Sequence, residues 1–131
     1  PDAVKNNHTG KIYDRILSSG FKILGAKLIR MSISQAQGFY RIHEDKPFYS
    51  ELTEFMSSGQ SMVLALEKDS AVSAWRKTIG ATNPEEADQG TIRRDFANSI
   101  GENAVHGSDS DENAIIEISY FFTGSEIIQN S

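Results

Sequence analysis

The sequence predicts an α+β sandwich, with helices covering one face of an antiparallel sheet. Three observations carry that expectation. Two aliphatic runs of strand length stand at Phe21 to Arg30 and Ser61 to Leu66, segments of helical period flank each run, and a helical hairpin separates them. A length of 131 residues leaves room for one hydrophobic core, so residues 1–131 read as a single domain.

From Thr9 to Gly20, Ile12, Tyr13, Ile16 and Leu17 recur at helical spacing, with Thr9 as N-cap and Gly20 as stop. FKILGAKLIR (21–30) then reads as a well-buried strand. Ser34 caps a helix carrying Ala36, Phe39 and Tyr40, and Pro47 breaks it before a second short helix with Leu52, Phe55 and Met56 that ends near Gly59. SMVLAL (61–66) is a second buried strand, after which Ser70 caps a helix with Val72, Trp75 and Ile79 that stops at Gly80. The loop from Ala81 to Gly90 (ATNPEEADQG) holds turn formers and acids but no large apolar residue. Asn103 to Gly107 reads as a short strand, and Ser110 opens a helix with Asp111 and Glu112 in its first turn and Ile115, Ile118, Phe121 and Phe122 facing inward. The tail 124–131 has no assigned structure. Three strands are few for such a sheet, and Pro-Asp directly before a helix points to a first strand upstream of Pro1.

Composition excludes several functions. With no cysteine there is no disulfide scaffold, thiol nucleophile or Cys-ligated metal, which suits a reducing, cytoplasmic setting. No window holds the roughly 20 apolar residues needed to span a bilayer, and residues 1–11 lack the apolar region of a signal peptide. A net charge of −5 argues against nucleic acid as a partner, yet permits a local cluster of arginines that holds a phosphorylated small molecule.

Three motifs fail on counting. Gly20 and Gly25 have the spacing of a phosphate-cradling loop, but Ala26 and Lys27 stand where Lys and Ser/Thr are needed. Asp109, Asp111 and Asn113 mimic a calcium loop whose glycine and final glutamate are replaced by Ala114 and Tyr120. The sequon Asn7-His8-Thr9 reads as turn and cap chemistry. The informative stretch is NAVHGSDS (103–110). A histidine followed by glycine and by cap residues opening a helix can present one ring nitrogen to a cleft while a neighbour holds the other. The alternative is a hydrogen-bonded core histidine, since single histidines more often satisfy packing than catalysis. His8 and His43 read as surface residues. Arg76, and Arg93 with Arg94, make a phosphoryl-transfer site if they lie near His106 and a solvated charged face if they do not. Spacing leaves both pairs of readings open.

PDAV (1–4), GF (20–21), KPFY (46–49), SG (58–59), GATNP (80–84), GTIRRDF (90–96) and NAVHGSDS (103–110) occur in register along the whole chain, which thereby closely resembles the nucleoside diphosphate kinase family. The resemblance implies a ferredoxin-like βαββαβ fold whose first strand is missing from this chain, together with a phosphate-contacting lysine immediately before Pro1. It implies ping-pong transfer of the γ-phosphoryl group of a nucleoside triphosphate to a nucleoside diphosphate through a phosphohistidine on His106. Glu117 would orient the imidazole, with Ser108 hydrogen-bonding nearby. Tyr40, Arg76, Thr82 and Arg93 would contact phosphates or brace the site, and Asn103 would touch the sugar hydroxyl and phosphate. Phe48 would stack on the base, with Leu52 and Ile100 as the opposite wall; stacking without base-edge hydrogen bonds suits an enzyme that accepts every base. Mg²⁺ would arrive on the nucleotide phosphates rather than on protein side chains. The loop 81–90 corresponds to the family's contact loop, so a homo-tetramer or homo-hexamer is expected. The rival reading, a non-catalytic nucleotide-sensing module on the same fold, would have lost the histidine or the arginines, and this chain keeps them.

Overall fold

The computed structural model describes residues 1–128. In chain order it contains α1 (Asp2–Lys5), α2 (Thr9–Ser18), β1 (Lys22–Arg30), α3 (Ile33–Phe39), a 3-10 turn (Arg41–His43), α4 (Tyr49–Met56), β2 (Gln60–Glu67), α5 (Ala71–Ile79), α6 (Ile92–Phe96), α7 (Asp111–Phe121) and a second 3-10 turn (Gly124–Glu126). This is the predicted α+β sandwich of ferredoxin-like type. Among the described residues its sheet has two strands, β1 and β2, paired antiparallel from Lys22↔Glu67 to Arg30↔Gln60. The register slips between Ile23 and Gly25, leaving Leu24 as a bulge whose carbonyl accepts the amide of Ile128 at 2.9 Å.

The core lies between the sheet and the helices. Ile12 and Ile16 of α2, Phe21, Ile79 of α5 and Ile92 of α6 are buried together, with Ile23, Leu64, Leu66 and Trp75 packed around them. Only the i, i+4 stripe of α2 is inside, since Tyr13 and Leu17 on its flank are exposed. Lys27 ties the end of α7 to β1: its Nζ–H donates to the carbonyl of Phe121 at 2.7 Å and pairs with Glu126 at 2.8 Å.

The structure corrects several sequence expectations. The N-cap of α2 is His8 rather than Thr9, and the cap of α3 is Ser32, whose Oγ accepts from Gln35 in a capping box, rather than Ser34. Ser70 caps α5 by position, in the left-handed region at φ 52, without a side-chain bond. The helix α6 was not predicted; Thr91 caps it by accepting from Arg94. The run read as a well-buried strand is half-buried at best, with Leu28 exposed, because the helices cover one face of β1. On α7, Ile115 points to solvent, whereas Phe122 is buried just beyond the helix end. His8 is half-buried, its ring tilted on Phe96 at 5.0 Å.

The largest correction concerns residues 103–107, which form no strand. Ala104 sits in the left-handed region at φ 72, and the amide of Val105 turns back to the carbonyl of Asn103 at 2.9 Å. The amide of Ala104 donates to the buried Asp2 carboxylate at 3.0 Å. With two consecutive amides committed in these ways and Ala104 out of the extended region, the segment cannot run as a regular ladder strand.

Candidate active site

His106 lies in this bent segment, and the carboxylate of Glu117 on α7 fixes its ring. A carboxylate can only accept, so the ring proton stands on Nε2 and donates to Oε1 of Glu117 at 2.6 Å. Nδ1 is left with its lone pair. Ser108 donates to the same carboxylate oxygen at 3.1 Å, which fixes the acceptor from a second direction. Ser110 makes this possible by capping α7, its Oγ accepting the amide of Asn113 at 3.1 Å, so that Glu117 returns over His106 two turns later. The side chain of His106 is 44% exposed and that of Glu117 only 17%, so the imidazole shows one edge to solvent and the other to a sheltered acid.

Aromatic rings enclose the imidazole. Phe39 and Tyr40 at the end of α3 meet it edge-on, with centroids 5.4 and 5.8 Å away. Burial, with Glu117 nearby, holds the Tyr40 hydroxyl well above its usual pKa, so this ring stays neutral beside the carboxylate.

The open edge faces a cleft of about 440 Å³ whose walls include Arg76, Lys77, Thr82, Thr91, Arg93 and Gly107. Arg93 is positioned by α6 and bonded to carbonyls on both sides of the cleft: Nη1 donates to Gly80 at 3.2 Å and Nη2 to Val105 at 2.9 Å. Its Nε–H is buried without a partner. Burial first, and then Arg76, lowers the pKa of this guanidinium. Two crowded cations and an unused buried donor make a site that an anion stabilises. Gly80 turns the chain at φ 86 and leaves no room for a Cβ, which would come within 2.6 Å of Thr91 Oγ1.

Of the residues singled out in the sequence, the structure thus gathers His106, Ser108, Glu117, Tyr40, Arg76, Thr82 and Arg93. Phe48, Leu52, Ile100 and Asn103 do not line this cleft. Phe48 stands exposed at the start of α4 with its ring 5.7 Å from that of His43, and Ile100 is exposed in the loop after α6. Sequence reasoning missed Lys77 and Thr91 on the cleft wall, and Trp75, whose Nε1–H donates to the carbonyl of His106 at 3.1 Å. Among the described residues, no group of three or more His, Cys, Asp or Glu side chains is placed to hold a metal, and no helix is long and apolar enough to cross a membrane.

The model for the nucleoside diphosphate kinase family matches residues 1–127. A nucleoside diphosphate kinase of Geotalea daltonii is 54% identical over 128 residues, which cover 98% of this chain and 93% of the relative. One of Brucella anthropi is 51% identical, with 98% and 91% covered. Among solved structures, the Aquifex aeolicus nucleoside diphosphate kinase superposes with a TM-score of 0.96 at 42% identity, covering 98% of this chain and 93% of that one. A halophilic nucleoside diphosphate kinase from Halobacterium salinarum, in complex with CDP, has a TM-score of 0.94 at 35% identity, with 100% and 88% covered.

Proposed function

Since this chain belongs to the nucleoside diphosphate kinase family, we propose that its phosphoryl transfer runs through His106. The enzyme is a phosphotransferase that moves the γ-phosphoryl group of a nucleoside triphosphate, typically ATP, to a nucleoside diphosphate. The observation that carries the residue assignment is the 2.6 Å bond from His106 Nε2 to Glu117, which commits one ring nitrogen to an acid and leaves Nδ1 as a nucleophile on an arginine-lined cleft.

Nδ1 attacks the γ-phosphorus in line. The N–P bond forms as the bond to the bridging oxygen breaks, and the electron pair leaves with the nucleoside diphosphate. As positive charge develops on the imidazole, Glu117 stabilises it through Nε2–H, and Ser108 keeps the carboxylate in place. A second nucleoside diphosphate enters the same cleft; its terminal oxygen attacks the phosphorus and the N–P bond breaks, giving ping-pong kinetics. Arg76, Thr82 and Arg93 hold the phosphates, and the orphan Nε–H of Arg93 is satisfied by a phosphate oxygen. Tyr40 braces the imidazole. The base stacks on Phe48 with Leu52 and Ile100 opposite, and Asn103 serves the sugar; the CDP held by the halobacterial relative supports a nucleotide on this fold. Mg²⁺, bound to the nucleotide's phosphate oxygens, would neutralise their charge, and Glu86 and Asp88 are the carboxylates on the cleft wall that suit its waters. A homo-oligomer, tetramer or hexamer, uses the loop 81–90, which Arg94 and Arg15 hold in shape through the carbonyls of Glu85 and Gly90 at 3.0 and 2.6 Å. A cytoplasmic location is part of the proposal, and a cysteine-free composition is compatible with it.

The test is incubation with γ-labelled ATP followed by denaturation. Label that is acid-labile and base-stable, and that a nucleoside diphosphate then removes, is the expected result. An acid-stable ester, or a transfer that occurs only with both nucleotides bound, would reject the phosphohistidine.

A further inference from the structure

The chemistry above leaves Trp75 without a part, although it is the only tryptophan in the chain. Its Nε1–H donates to the carbonyl oxygen of His106 at 3.1 Å. The same edge of the indole lies against Gly107: a Cβ there would stand 2.6 Å from Cδ1 and 2.9 Å from Nε1. Trp75 also meets Phe21 edge-to-face, with centroids 5.6 Å apart, and Phe21 is buried in the core. The indole therefore joins the core to the peptide that follows the histidine.

The two peptide planes that flank the Cα of His106 set the direction of its Cα–Cβ bond. Arg93 holds the plane before it, through the Val105 carbonyl at 2.9 Å. Trp75 holds the plane after it, which the conformational freedom of Gly107 would otherwise leave loose. Glu117 then fixes the ring itself. The residue after Trp75 on α5 is Arg76, which stands on the cleft wall. One helix thus carries both the anchor of the histidine's backbone and a cation of the phosphate site.

We propose that Trp75 is a positioning residue for phosphoryl transfer, setting the direction from which Nδ1 of His106 meets the phosphorus by holding the His106–Gly107 peptide. The proposal rests on the reading of His106 as the phosphoryl carrier. A residue that serves packing alone changes stability when altered. A positioning residue changes the rate of the chemical step while nucleotide affinity stays, because reactivity falls steeply with small displacements and binding does not.

Two alterations separate these roles. Trp75→Phe keeps an aromatic ring against Phe21 and removes the N–H. Replacing the single tryptophan biosynthetically by β-(benzothien-3-yl)alanine keeps the outline of the indole and puts sulfur in place of N–H. Single-turnover labelling of His106 by γ-labelled ATP gives the chemical rate, and calorimetry gives ADP affinity. Both altered proteins are expected to label His106 roughly three- to tenfold more slowly, as the loss of one neutral hydrogen bond implies, with ADP affinity within about twofold of wild type. Labelling at the wild-type rate in the benzothienyl protein overturns the proposal, as does ADP affinity that falls in step with the rate. Absence of label on His106 in the wild-type protein overturns the carrier reading instead, before Trp75 is in question.

Discussion

At one end of the site, the His106 ring is bonded to Glu117 at 2.6 Å, its own carbonyl to Trp75 at 3.1 Å and the preceding carbonyl to Arg93 at 2.9 Å. Phe48 and Ile100, proposed to hold the base, are by contrast 49% and 58% exposed and lie outside the cleft. The contrast matches what each region would have to do under the proposed function. Phosphoryl transfer through His106 would depend on a near-attack geometry that tolerates little error, and bonds from several elements at once would supply it. Accepting every base asks for no base-edge hydrogen bond, and an exposed aromatic face meets any base with a similar stacking energy.

The largest expected effect breaks the held end outright. His106→Ala should abolish both labelling by γ-labelled ATP and turnover, while label found on His8 or His43 would move the nucleophile. Glu117→Ala comes next. It removes the acceptor of Nε2–H and leaves Ser108 without its partner, so the phosphorylation rate should fall by about a hundredfold or more. Nucleotide affinity should change little, and the reverse pattern would turn Glu117 into a binding residue.

The open end should answer in the opposite kinetic parameter. Phe48→Ala is expected to raise KM by about tenfold, the weight of one base–aromatic stack of about 1–3 kcal/mol, with kcat nearly unchanged. The loss should be similar for purine and pyrimidine nucleotides. A loss confined to one base would mean that this end reads base identity.

The smallest effect sharpens the comparison at the periphery, where α7 meets β1. The side-chain bond from Lys27, aided by the amide of Thr123, lowers the carboxyl of Glu126 to about 2 from an ordinary 4.5. A depressed carboxyl stabilises the fold above its unfolded-state value and loses that contribution as the pH falls through its folded value. The thermal midpoint of wild type should therefore exceed that of Glu126→Gln above pH 4.5, and the gap should close as the pH falls toward 2. The gap should be small, since the pair is solvent-exposed. kcat should be the same in the two proteins at neutral pH, because the Lys27–Glu126 pair lies outside the cleft.

The alternation of helices with the aliphatic runs 21–30 and 61–66, the hairpin between them and the stops at Gly20 and Gly80 were legible in the sequence, because each rests on neighbours within about four residues along the chain. So was the candidate nucleophile, since NAVHGSDS (103–110) and GTIRRDF (90–96) are contiguous motifs. Caps were placed one or two residues off at Thr9 and Ser34, where several cap-forming residues compete locally and only the hydrogen bonds choose among them. Tertiary structure alone decided that 103–107 is not a strand, because a strand is defined by its ladder and the amides of Ala104 and Val105 are bonded instead to Asp2 and to the segment's own Asn103. It alone chose the ring nitrogen, through a bond spanning 11 residues from His106 to Glu117. It also drew Trp75 to the carbonyl of His106 across 31 residues, and no helical or strand period carries information over that distance.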